Sequence, residues 1–426
     1  MKVLIVGGGG REHTLAWKVA QSPKVTEVIC APGNAGTAAV GRNVGIGAGD
    51  IDELVAFAKQ NEIGLTIVGP EDPLCRGLVD ALEAEGLPAF GPTAAGARLE
   101  GSKSFCKRFM RDQGVPTSDF GVFTDPAEAV AYIDTRTVPQ VVKADGLAAG
   151  KGVIVCDTAE EAKVAAREML VDRRFGDAGG SIVVEDRVEG EEASFMALCD
   201  GLRVLPLASS QDHKRALDGD RGPNTGGMGA YSPAPLVTDA LAERIMAEVM
   251  QPLAKGMAQA GTPYRGVVYA GMMIDGDRFS VLEINCRFGD PETQPVLARL
   301  QTDLTTLLGA ATSGGLAGLD PQWDPRATLC VVMAAGGYPG SYDKGHVIEG
   351  LDAQGQVGSD DVVVFHAGTA HADDGRIVTS GGRVLGVTAY GDTIAAAQKI
   401  AYAATKKISW PSVQYRTDIG NRAVNR

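Results

Sequence analysis

The sequence lacks the features of several large classes of protein. Its five histidines have no metal-ligand spacing, and no run of 18 apolar residues could span a bilayer. The seven cysteines form no C-x-x-C pair, and their odd number rules out a complete intrachain disulfide framework. The opening run M-K-V-L-I-V predicts a strand rather than the apolar region of a signal peptide. We therefore expect a cytoplasmic protein with reduced thiols and no membrane partner.

Positive charge is also in short supply. The chain has 40 Lys and Arg against 53 Asp and Glu, a formal net charge of −13. This balance argues against a nucleic-acid partner, although it leaves room for a local basic pocket. The 426 residues are 44% hydrophobic and 22% charged, which is typical of a globular protein with about three domains. We expect a monomer that acts on small molecules.

The first 101 residues alternate strand and helix signals, which predicts an open parallel α/β sheet with helices on its faces. Ligands bind such sheets outside the carboxyl ends of the strands. The turns at those ends, at 8–11, 31–36, 69–72 and 91–93, predict one ligand crevice, which includes Gly8, Gly9, Gly10, Arg11, Asn34, Gly36, Pro70, Glu71 and Asp72. Plain turn chemistry is the alternative interpretation of these loops.

A nicotinamide-dinucleotide site is the rival hypothesis for the first glycine turn, G-G-G-G-R-E-H. The dinucleotide fingerprint needs a third glycine at position 12 or 13, where this chain has Glu12 and His13. The second strand ends in Cys30 and Ala31 and offers no carboxylate for a ribose hydroxyl. The turn therefore favours a smaller phosphate, or it is a packing turn without a ligand.

A second glycine-rich loop follows Lys143 in the stretch Q-V-V-K-A-D-G-L-A-A-G-K-G, residues 140–152. Two short apolar runs flank it, which predicts a hairpin. Its spacing is not that of a Walker A loop. Glycine amides with lysines on either side suit a polyphosphate, although an ordinary mobile hairpin tip has the same composition. Lys103 lies in the first turn of a predicted helix, so it is either solvated or faces an anion.

Two later segments add polar chemistry. Residues 209–235 are polar, rich in glycine and without periodicity, which favours a substrate loop over disorder. The run V-L-E-I-N-C-R predicts a strand that places Glu283, Asn285 and Arg287 on one face. Oxygen ligands suit Mg²⁺, and arginine suits a phosphoryl group in transfer. A surface ion pair between Glu283 and Arg287 is the alternative, but it leaves Asn285 unexplained.

Taken together, these motifs resemble those of the glycinamide ribonucleotide synthetase family of ATP-grasp enzymes. The resemblance covers essentially the whole chain and rests on long motifs in the right order: G-G-R-E-H at 9–13, A-P-G-N-A-G at 31–36, K-A-D-G-L-A-A-G-K-G-V at 143–153, S-Q-D-H-K-R at 210–215, G-P-N-T-G-G-M-G-A-Y-S-P at 222–233 and N-C-R-F-G-D-P-E-T at 285–293. It implies an α/β and α+β multidomain fold. The N-terminal α/β substrate domain would span 1–101. The ATP-grasp domain would span 102–320, with a mobile lid at about 120–188, and a small α+β domain would span 325–426.

The resemblance also implies a reaction in purine biosynthesis. ATP would phosphorylate glycine, and 5-phosphoribosylamine would attack the glycyl phosphate to give glycinamide ribonucleotide, with Mg²⁺ or Mn²⁺ offsetting charge. The nearest alternative is another ATP-grasp ligase with a different acid or amine. A nucleotide-binding protein without catalysis is disfavoured, because Lys143, Glu283, Asn285 and Arg287 are all present.

Roles carried over from the family extend to individual residues. The expected phosphate-binding residues are Lys103, Lys143, Gly146, Gly150, Lys151 and Gly152. Glu185 and the backbone of Val188 would clamp adenine, Glu192 would bind ribose, and Glu283 and Asn285 would hold the metal. Arg287 would sit at the acyl-phosphate centre, with Lys143 as the second catalytic residue. Residues expected to serve glycine and the ribosyl group are Asp212, Lys214, Thr225, Gly226 and Gly227.

The chain departs from the wider ATP-grasp pattern at one position. Many members carry another metal-binding carboxylate thirteen residues before the glutamate, where this chain has Ala270. The number of metal ions is therefore open at this stage.

Overall fold

The structure is a computed structural model that describes residues 1–147 and 152–426. The N-terminal part is a parallel sheet with the strand order β3-β2-β1-β4-β5. Its elements are β1 (Lys2–Gly7), α1 (Gly10–Val19), β2 (Glu27–Pro32), α2 (Ala35–Val40), β3 (Arg42–Asn43), α3 (Ile51–Gln60), β4 (Ile63–Val68), α4 (Glu71–Cys75), α5 (Leu78–Ala84), β5 (Ala89–Phe90) and α6 (Ala94–Gly101). The strand order reverses between β1 and β4, so the loops after these two strands flank a crevice at the carboxyl edge.

The next part is a small antiparallel sheet, β6-β9-β7-β8, covered by two helices. Its elements are α7 (Lys103–Asp112), β6 (Phe120–Phe123), α8 (Pro126–Asp134), β7 (Gln140–Ala144), β8 (Val153–Cys156), α9 (Ala159–Leu170), a 3₁₀ turn (Gly176–Gly180) and β9 (Ile182–Asp186). β7 and β8 pair antiparallel, with Lys143 opposite Val153, so the predicted hairpin is confirmed. We call this sheet with α8 and α9 the lid.

A second antiparallel sheet, β11-β10-β16-β17, faces the lid. This stretch of chain contains β10 (Glu191–Asp200), β11 (Val204–Pro206), β12 (Gln211–Asp212), β13 (Arg215–Leu217), β14 (Arg221–Asn224), β15 (Gly229–Ser232), α10 (Asp239–Ile245), a π-helical turn (Met246–Met250), α11 (Gln251–Gln259), β16 (Arg265–Asp275), β17 (Arg278–Asn285), α12 (Thr293–Arg299) and α13 (Leu304–Ser313). One face of this sheet packs in the apolar core against α10 and α11. The polar side chains of the candidate site lie on the other face.

The C-terminal part contains β18 (Ala327–Ala334), β19 (Val362–His366), β20 (Thr369–His371), β21 (Ile377–Thr379), β22 (Arg383–Gly391), α14 (Ile394–Thr405) and α15 (Asn421–Val424). Its sheet has the order β12-β15-β18-β22-β19, so two strands come from the middle of the chain. The prediction of a 209–235 segment without periodicity missed four short strands, because none of them is longer than four residues and so none shows a clear alternation. The expected domain limits stay a prediction.

Two expectations about classes of protein can be compared with the fold. All seven cysteines are free thiols, as expected. Among residues 1–147 and 152–426, no helix combines the length and the hydropathy needed to cross a bilayer.

Candidate active site

The loops after β1 and β2 lie against each other at the crevice. The Asn34 side chain donates to the Gly8 carbonyl at 3.0 Å and accepts from the Gly36 amide at 2.9 Å, which caps α2. A Cβ atom added to Gly8 would lie 2.6 Å from the Gly33 carbonyl oxygen. Only glycine allows this close approach, so the two glycine-rich loops form one surface, as the sequence predicted.

Glu12 closes the floor of this crevice, and sequence reasoning gave it no role. Its carboxylate accepts from the Gly9 amide and from Arg11 Nε, each at 2.6 Å. A Cβ atom on Gly69 would lie 2.0 Å from Glu12 Oε1. An acidic residue in the first turn after a glycine loop was the available signal, because carboxylates favour helix N-termini. The Gly9 amide is therefore already paired inside the protein.

In the loop after β4, one acidic side chain points to solvent and the other points into the site. Pro70 precedes α4 as its cap residue, and the Asp72 side chain is 60% exposed and pairs with Arg76 at 3.4 Å. Glu71 turns inward and accepts from Arg287 Nε at 3.2 Å. Of this loop, Glu71 is the side chain that reaches the centre of the site.

Arg287 is held by two carboxylates from different parts of the chain. Its Nη2 lies 2.9 Å from Glu100 Oε1 and 3.4 Å from Asn285 Oδ1, while Nε contacts Glu71. Burial raises the pKa of Glu100, and Arg287 opposes that shift. Against the effect of burial, Arg287 and then Arg11 hold the pKa of Glu71 below its usual range. The alternative interpretation, an ion pair between Glu283 and Arg287, does not match these contacts, since Arg287 pairs with Glu71 and Glu100.

Lys143 joins the lid to the facing sheet. Its ammonium group donates to the Leu282 carbonyl on β17 at 3.0 Å and forms a buried ion pair with Glu185 on β9. Glu185 also pairs with Lys107 and accepts from Ser118 Oγ at 2.8 Å. Against burial, Lys143 and then Lys107 lower the pKa of Glu185, so it is ionised at neutral pH.

The Glu185 carboxylate is therefore committed to two lysines. What remains of the expected adenine contact is the backbone of the segment after β9. Among the described residues, the Val188 amide has no hydrogen-bond partner. No sequence signal pointed to Lys107, because its partner lies 78 positions away along the chain.

Lys103 sits at the start of α7, beside the loop that follows β7. Its ammonium group donates to the Gly146 carbonyl at 3.1 Å, and its amide donates to the Asp145 carbonyl at 3.0 Å. Burial lowers the pKa of Lys103. The Gly152 carbonyl accepts from the Ala144 amide at 2.8 Å, which places it at the base of the hairpin. Gly150 and Lys151 lie outside the described residues.

Glu283 and Asn285 end β17 with their side chains on the polar face. Lys214 lies 3.9 Å from Glu283 and 2.8 Å from Glu192, so one lysine links the expected metal and ribose carboxylates. Burial disfavours the charged form of Glu283, but Lys214, Lys143 and Lys103 outweigh it and lower its pKa to about 2. A carboxylate beside a buried amide oxygen is a donor set that fits Mg²⁺ or Mn²⁺.

The protein supplies only part of a metal shell. Over the part of the chain that the structure describes, no group of three His, Cys, Asp or Glu side chains converges as a metal site.

The register between β16 and β17 shows which way the Ala270 side chain points. Ala270 stands opposite Ile284, and both side chains pack in the apolar core beneath the sheet. Gly271 is the residue opposite Glu283, and a Cβ atom added there would lie 3.1 Å from Glu283 Cγ. A carboxylate at position 270 would therefore point away from the site. The direct partner of Glu283 is therefore Gly271, twelve positions earlier, and the question of how many metal ions bind stays open.

The segment 225–227 packs beside Lys214 and is braced by the C-terminal part. Thr225 donates to the Lys214 carbonyl from both its amide and its hydroxyl, each at 2.8 Å, and the Gly227 amide donates to Thr225 Oγ1 at 3.0 Å. Arg383 on β22 donates to the Gly226 carbonyl at 2.6 Å. Sequence reasoning missed Arg383, because it treated the C-terminal part as separate from the site.

Asp212 ends β12, almost completely buried, next to the same cluster. Burial raises its pKa to about 7, Lys214 opposes the shift, and Glu292 and Glu192 add to it. Glu292 is a further residue that sequence reasoning missed, although it lies within the motif at 285–293. The site thus combines a cluster of lysines, a metal-type oxygen pair and a fixed arginine between the lid and the N-terminal crevice.

Comparison with protein families gives consecutive matches along the chain. The phosphoribosylglycinamide synthetase N domain matches residues 1–100, the ATP-grasp (A) domain matches 101–293, and the C domain matches 328–422. The phosphoribosylamine–glycine ligase of Allochromatium vinosum is 57% identical over 100% of this chain and 99% of that protein. The enzyme of the same name from Escherichia coli K12 is 55% identical over the same shares.

Solved structures agree with the sequence relatives. The crystal structure of phosphoribosylamine–glycine ligase from Thermotoga maritima has a TM-score of 0.85 and 33% identity, over 98% of this chain and 100% of that one. The biotin carboxylase domain of Hydrogenobacter thermophilus 2-oxoglutarate carboxylase, in complex with MgADP, has a TM-score of 0.76 and 17% identity, over 97% of this chain and 91% of that one. The second likeness concerns the fold alone. The expected fold class is confirmed.

Proposed function

The chain belongs to the phosphoribosylglycinamide synthetase family and is an ATP-dependent ligase of glycine and 5-phosphoribosylamine in purine biosynthesis; from this premise we propose how its residues divide the reaction. The observation that carries the proposal is the position of Arg287. Through Glu71 it touches the N-terminal crevice, and through Asn285 it touches the strand end that suits a metal. The Arg287 guanidinium therefore lies between the crevice assigned to 5-phosphoribosylamine and the strand end assigned to the metal and the phosphates of ATP.

The chemistry has two steps. An oxygen of the glycine carboxylate attacks the terminal phosphorus of ATP, which forms glycyl phosphate and releases ADP. The amine of 5-phosphoribosylamine then attacks the acyl carbon, a proton leaves the nitrogen, and phosphate departs with its bonding electrons. Phosphorylation is needed because a free carboxylate has no good leaving group. Arg287 stabilises the negative charge that develops on the acyl-phosphate oxygens.

The lysines and the β17 oxygens bind the triphosphate end of ATP. Lys103 and Lys143 neutralise the phosphates, and Gly146 and Gly152, the described ends of the loop between β7 and β8, are assigned to the phosphates as well. Glu283 and Asn285 would hold Mg²⁺ or Mn²⁺, which supplies positive charge to the transferring phosphoryl group. The low pKa of Glu283 supports this role, because the carboxylate stays ionised and ready to bind a cation.

The rest of the nucleotide lies between the lid and the sheet formed by β10, β16 and β17. The backbone of Val188, in the segment after β9, contacts adenine, and Glu192 binds the ribose hydroxyls. Lys214 lies between Glu192 and Glu283, so it links the part of the site that binds the ribose of ATP to the part that binds its phosphates. The second catalytic residue, Lys143, is held in place by the buried Glu185 carboxylate.

The N-terminal crevice takes 5-phosphoribosylamine. Its phosphate and ribose are assigned to the loops 8–11, 34–36 and 70–72, since these loops meet at the carboxyl edge of the parallel sheet. The segment 225–227 lies beside Lys214 and serves the ribosyl group and glycine. Within these loops the Gly9 amide and the Asp72 side chain are the groups least suited to contact the substrate, because the first is paired with Glu12 and the second is exposed and paired with Arg76.

The direct test is ADP release from ATP and Mg²⁺, with glycine and freshly prepared 5-phosphoribosylamine added singly and together. We expect ADP and glycinamide ribonucleotide only when both are present. ADP formed with another amino acid in place of glycine would overturn the substrate assignment. No ADP from folded protein under any combination would overturn catalysis itself.

We also propose that the protein works in the cytoplasm as a monomer, with domains at 1–101, 102–320 and 325–426. Light scattering after gel filtration tests the oligomeric state. A mass near 44.2 kDa is expected for the monomer. A mass twice as large would overturn it. Limited proteolysis tests the domain limits, which predict cleavage near residues 101 and 322.

A further inference from the structure

We propose that Glu100 is the positioning residue for Arg287, because it holds both the backbone next to this arginine and the guanidinium group at the end of its side chain. The inference rests on the proposed function and adds how the arginine at the acyl-phosphate centre is kept in place. Glu100 belongs to α6, at the end of the N-terminal part, whereas Arg287 follows β17. The argument depends on the contacts, the burial and the charges of this pair.

The helix that carries Glu100 does not explain its presence. Glu100 lies in the last turn of α6, which ends at Gly101. A carboxylate near the C-terminus of a helix is unfavourable, because the helix dipole places partial negative charge there. The Glu100 side chain is also only 9% exposed, and a buried charge is costly unless it is paired. Glu100 must therefore be stabilised by groups outside α6.

Both oxygens of Glu100 bind to two consecutive residues after β17. Oε2 accepts from the Cys286 amide at 2.8 Å and from Cys286 Sγ at 3.1 Å. Oε1 lies 2.9 Å from Arg287 Nη2. Cys286 is 1% exposed and packs in the apolar core, so its backbone is held from both sides. One carboxylate therefore fixes the chain directly before Arg287 and the far end of the Arg287 side chain.

The other partners of Arg287 have separate tasks in the proposed reaction. Glu71 contacts Arg287 Nε at 3.2 Å, but its side chain is 30% exposed and lies in the crevice assigned to 5-phosphoribosylamine. Asn285 contacts Arg287 Nη2 at the longer distance of 3.4 Å and is assigned to the metal. Of the two carboxylates, Glu100 is the more deeply buried, and no ligand is assigned to it. Glu100 is therefore the partner that can stay in place while substrates bind and leave.

The electrostatic effects around Arg287 agree with this division. Against the effect of burial, Glu100 and then Glu71 raise the pKa of Arg287. Burial raises the pKa of Glu100, which Arg287 opposes and Glu71 increases, while hydrogen bonds from Cys286 also oppose it. Arg287 is thus coupled more strongly to Glu100 than to Glu71. If Glu100 lost its charge, the guanidinium group should move toward Glu71 and the crevice.

The first test is Glu100→Gln in the full-length enzyme. The new carbonyl oxygen can still accept from the Cys286 amide, but the new NH₂ group would face the donors of Arg287. A displacement of about 1 Å at a catalytic group can lower the rate about 100-fold. We expect kcat for ADP release to fall about 10- to 100-fold, with the KM values for ATP and glycine within about 2-fold of wild type. An unchanged kcat, or a change confined to one KM, would overturn the assignment.

The same substitution in the Arg287→Lys background separates positioning from a general structural role. Residues that act as a unit have non-additive effects. If Glu100 acts through Arg287, the additional decrease in kcat should be less than about 3-fold. The full decrease in this background would show that Glu100 acts independently of Arg287. Glu100→Asp is a second variant in case the first does not fold: it keeps the charge but has a shorter reach, and the same lack of additivity is expected.

Asp324→Asn is a matched control for the loss of a carboxylate that holds an arginine. Asp324 accepts from the Arg326 amide at 2.9 Å and lies 2.8 Å from Arg326 Nη2, so it also holds a backbone and a guanidinium group. This pair has no role in the proposed reaction. Asp324→Asn should therefore leave kcat within about 2-fold of wild type, since partly exposed ion pairs contribute little. A loss of kcat equal to that of Glu100→Gln would overturn the specific role of Glu100.

A crystal structure of the Glu100→Gln protein gives a readout that does not depend on the reaction. We expect Arg287 Nη2 to lie beyond hydrogen-bond distance from the side chain at position 100, which means more than about 3.5 Å. An Arg287 side chain in its wild-type position would overturn the proposal. If wild-type protein released no ADP with glycine and 5-phosphoribosylamine, but Arg287 moved in the variant, the proposed reaction would be wrong and the positioning role would stand.

Discussion

Replacing Arg287 with lysine keeps the positive charge but removes the planar guanidinium group that contacts two carboxylates at once. The guanidinium contacts Glu71 at 3.2 Å and Glu100 at 2.9 Å, with a longer contact to Asn285 at 3.4 Å. A single ammonium group can satisfy one carboxylate in this geometry but not both. The loss of one hydrogen bond between charged groups costs about 1.5–3 kcal/mol. That loss alone corresponds to a rate decrease of about 10- to 150-fold.

The developing negative charge gives a second, independent measure of the same loss, which is not added to the first. Removal of one positioned donor from a transition state typically lowers turnover by about 10²–10³-fold. We therefore expect Arg287→Lys to lower kcat for ADP release by about 100- to 1000-fold. The KM for ATP should change only a few-fold, because the arginine is assigned to the acyl-phosphate centre and not to the nucleotide.

The chain offers a matched control for this substitution. Arg326 also spans two carboxylates, Asp324 at 2.8 Å and Asp361 at 3.1 Å, but it is 39% exposed and lies in the C-terminal part. Arg326→Lys should leave kcat within about 2-fold of wild type, since exposed ion pairs contribute little. Steady-state ADP release at saturating substrates measures both variants. An Arg287→Lys enzyme with more than a third of wild-type kcat would refute the assignment.

Three other predictions follow from the same structure. Glu283→Gln should slow turnover at least ~100-fold at saturating Mg²⁺, and near-normal turnover would remove its role as a metal ligand. Lys143→Ala should raise the KM for ATP, and a change confined to the glycine KM would contradict its assignment to the phosphates. Burial lowers the pKa of His213 to about 3 and lowers that of His13 well below its usual 6.5. As the pH falls below 6.5, the unfolded chain therefore binds protons at these two histidines that the folded protein does not bind. Below pH 6.5 stability should therefore fall by up to ~1.4 kcal/mol per pH unit for each histidine. Thermal melting at a fixed scan rate should show a lower midpoint at pH 5 than at pH 7, and an identical midpoint would contradict this reasoning.

Sequence patterns with short periods predicted the local structure well. The alternation of strands and helices over residues 1–101, the hairpin that carries Lys143 and the polar face of β17 all depend on neighbours in the chain. The order of the long motifs identified the family and with it the reaction. These predictions agree with the structure because a strand or helix is specified mainly by residues within a few positions of each other.

Pairings between distant segments could not be predicted in the same way. Glu100 meets Arg287, and Lys107 meets Glu185, across 187 and 78 positions of sequence. Neither pair has a motif, because any two oppositely charged residues could have met. Ala270 shows the same limit at shorter range, since a shift of one position in register moves a side chain to the other face of a sheet.

By itself, the sequence determined the alternating elements of residues 1–101, the hairpin of Lys143, the family and the reaction, because each is encoded in local patterns and long contiguous motifs. The tertiary structure alone decided which carboxylates are paired and which are left without a cation. Among the described residues, that distinction pairs Glu71 and Glu100 with Arg287 and leaves Glu292 and Asp212 without an ion pair. The physical reason is that burial and charge balance are properties of the assembled site, and they depend on side chains that folding brings together from distant parts of the chain.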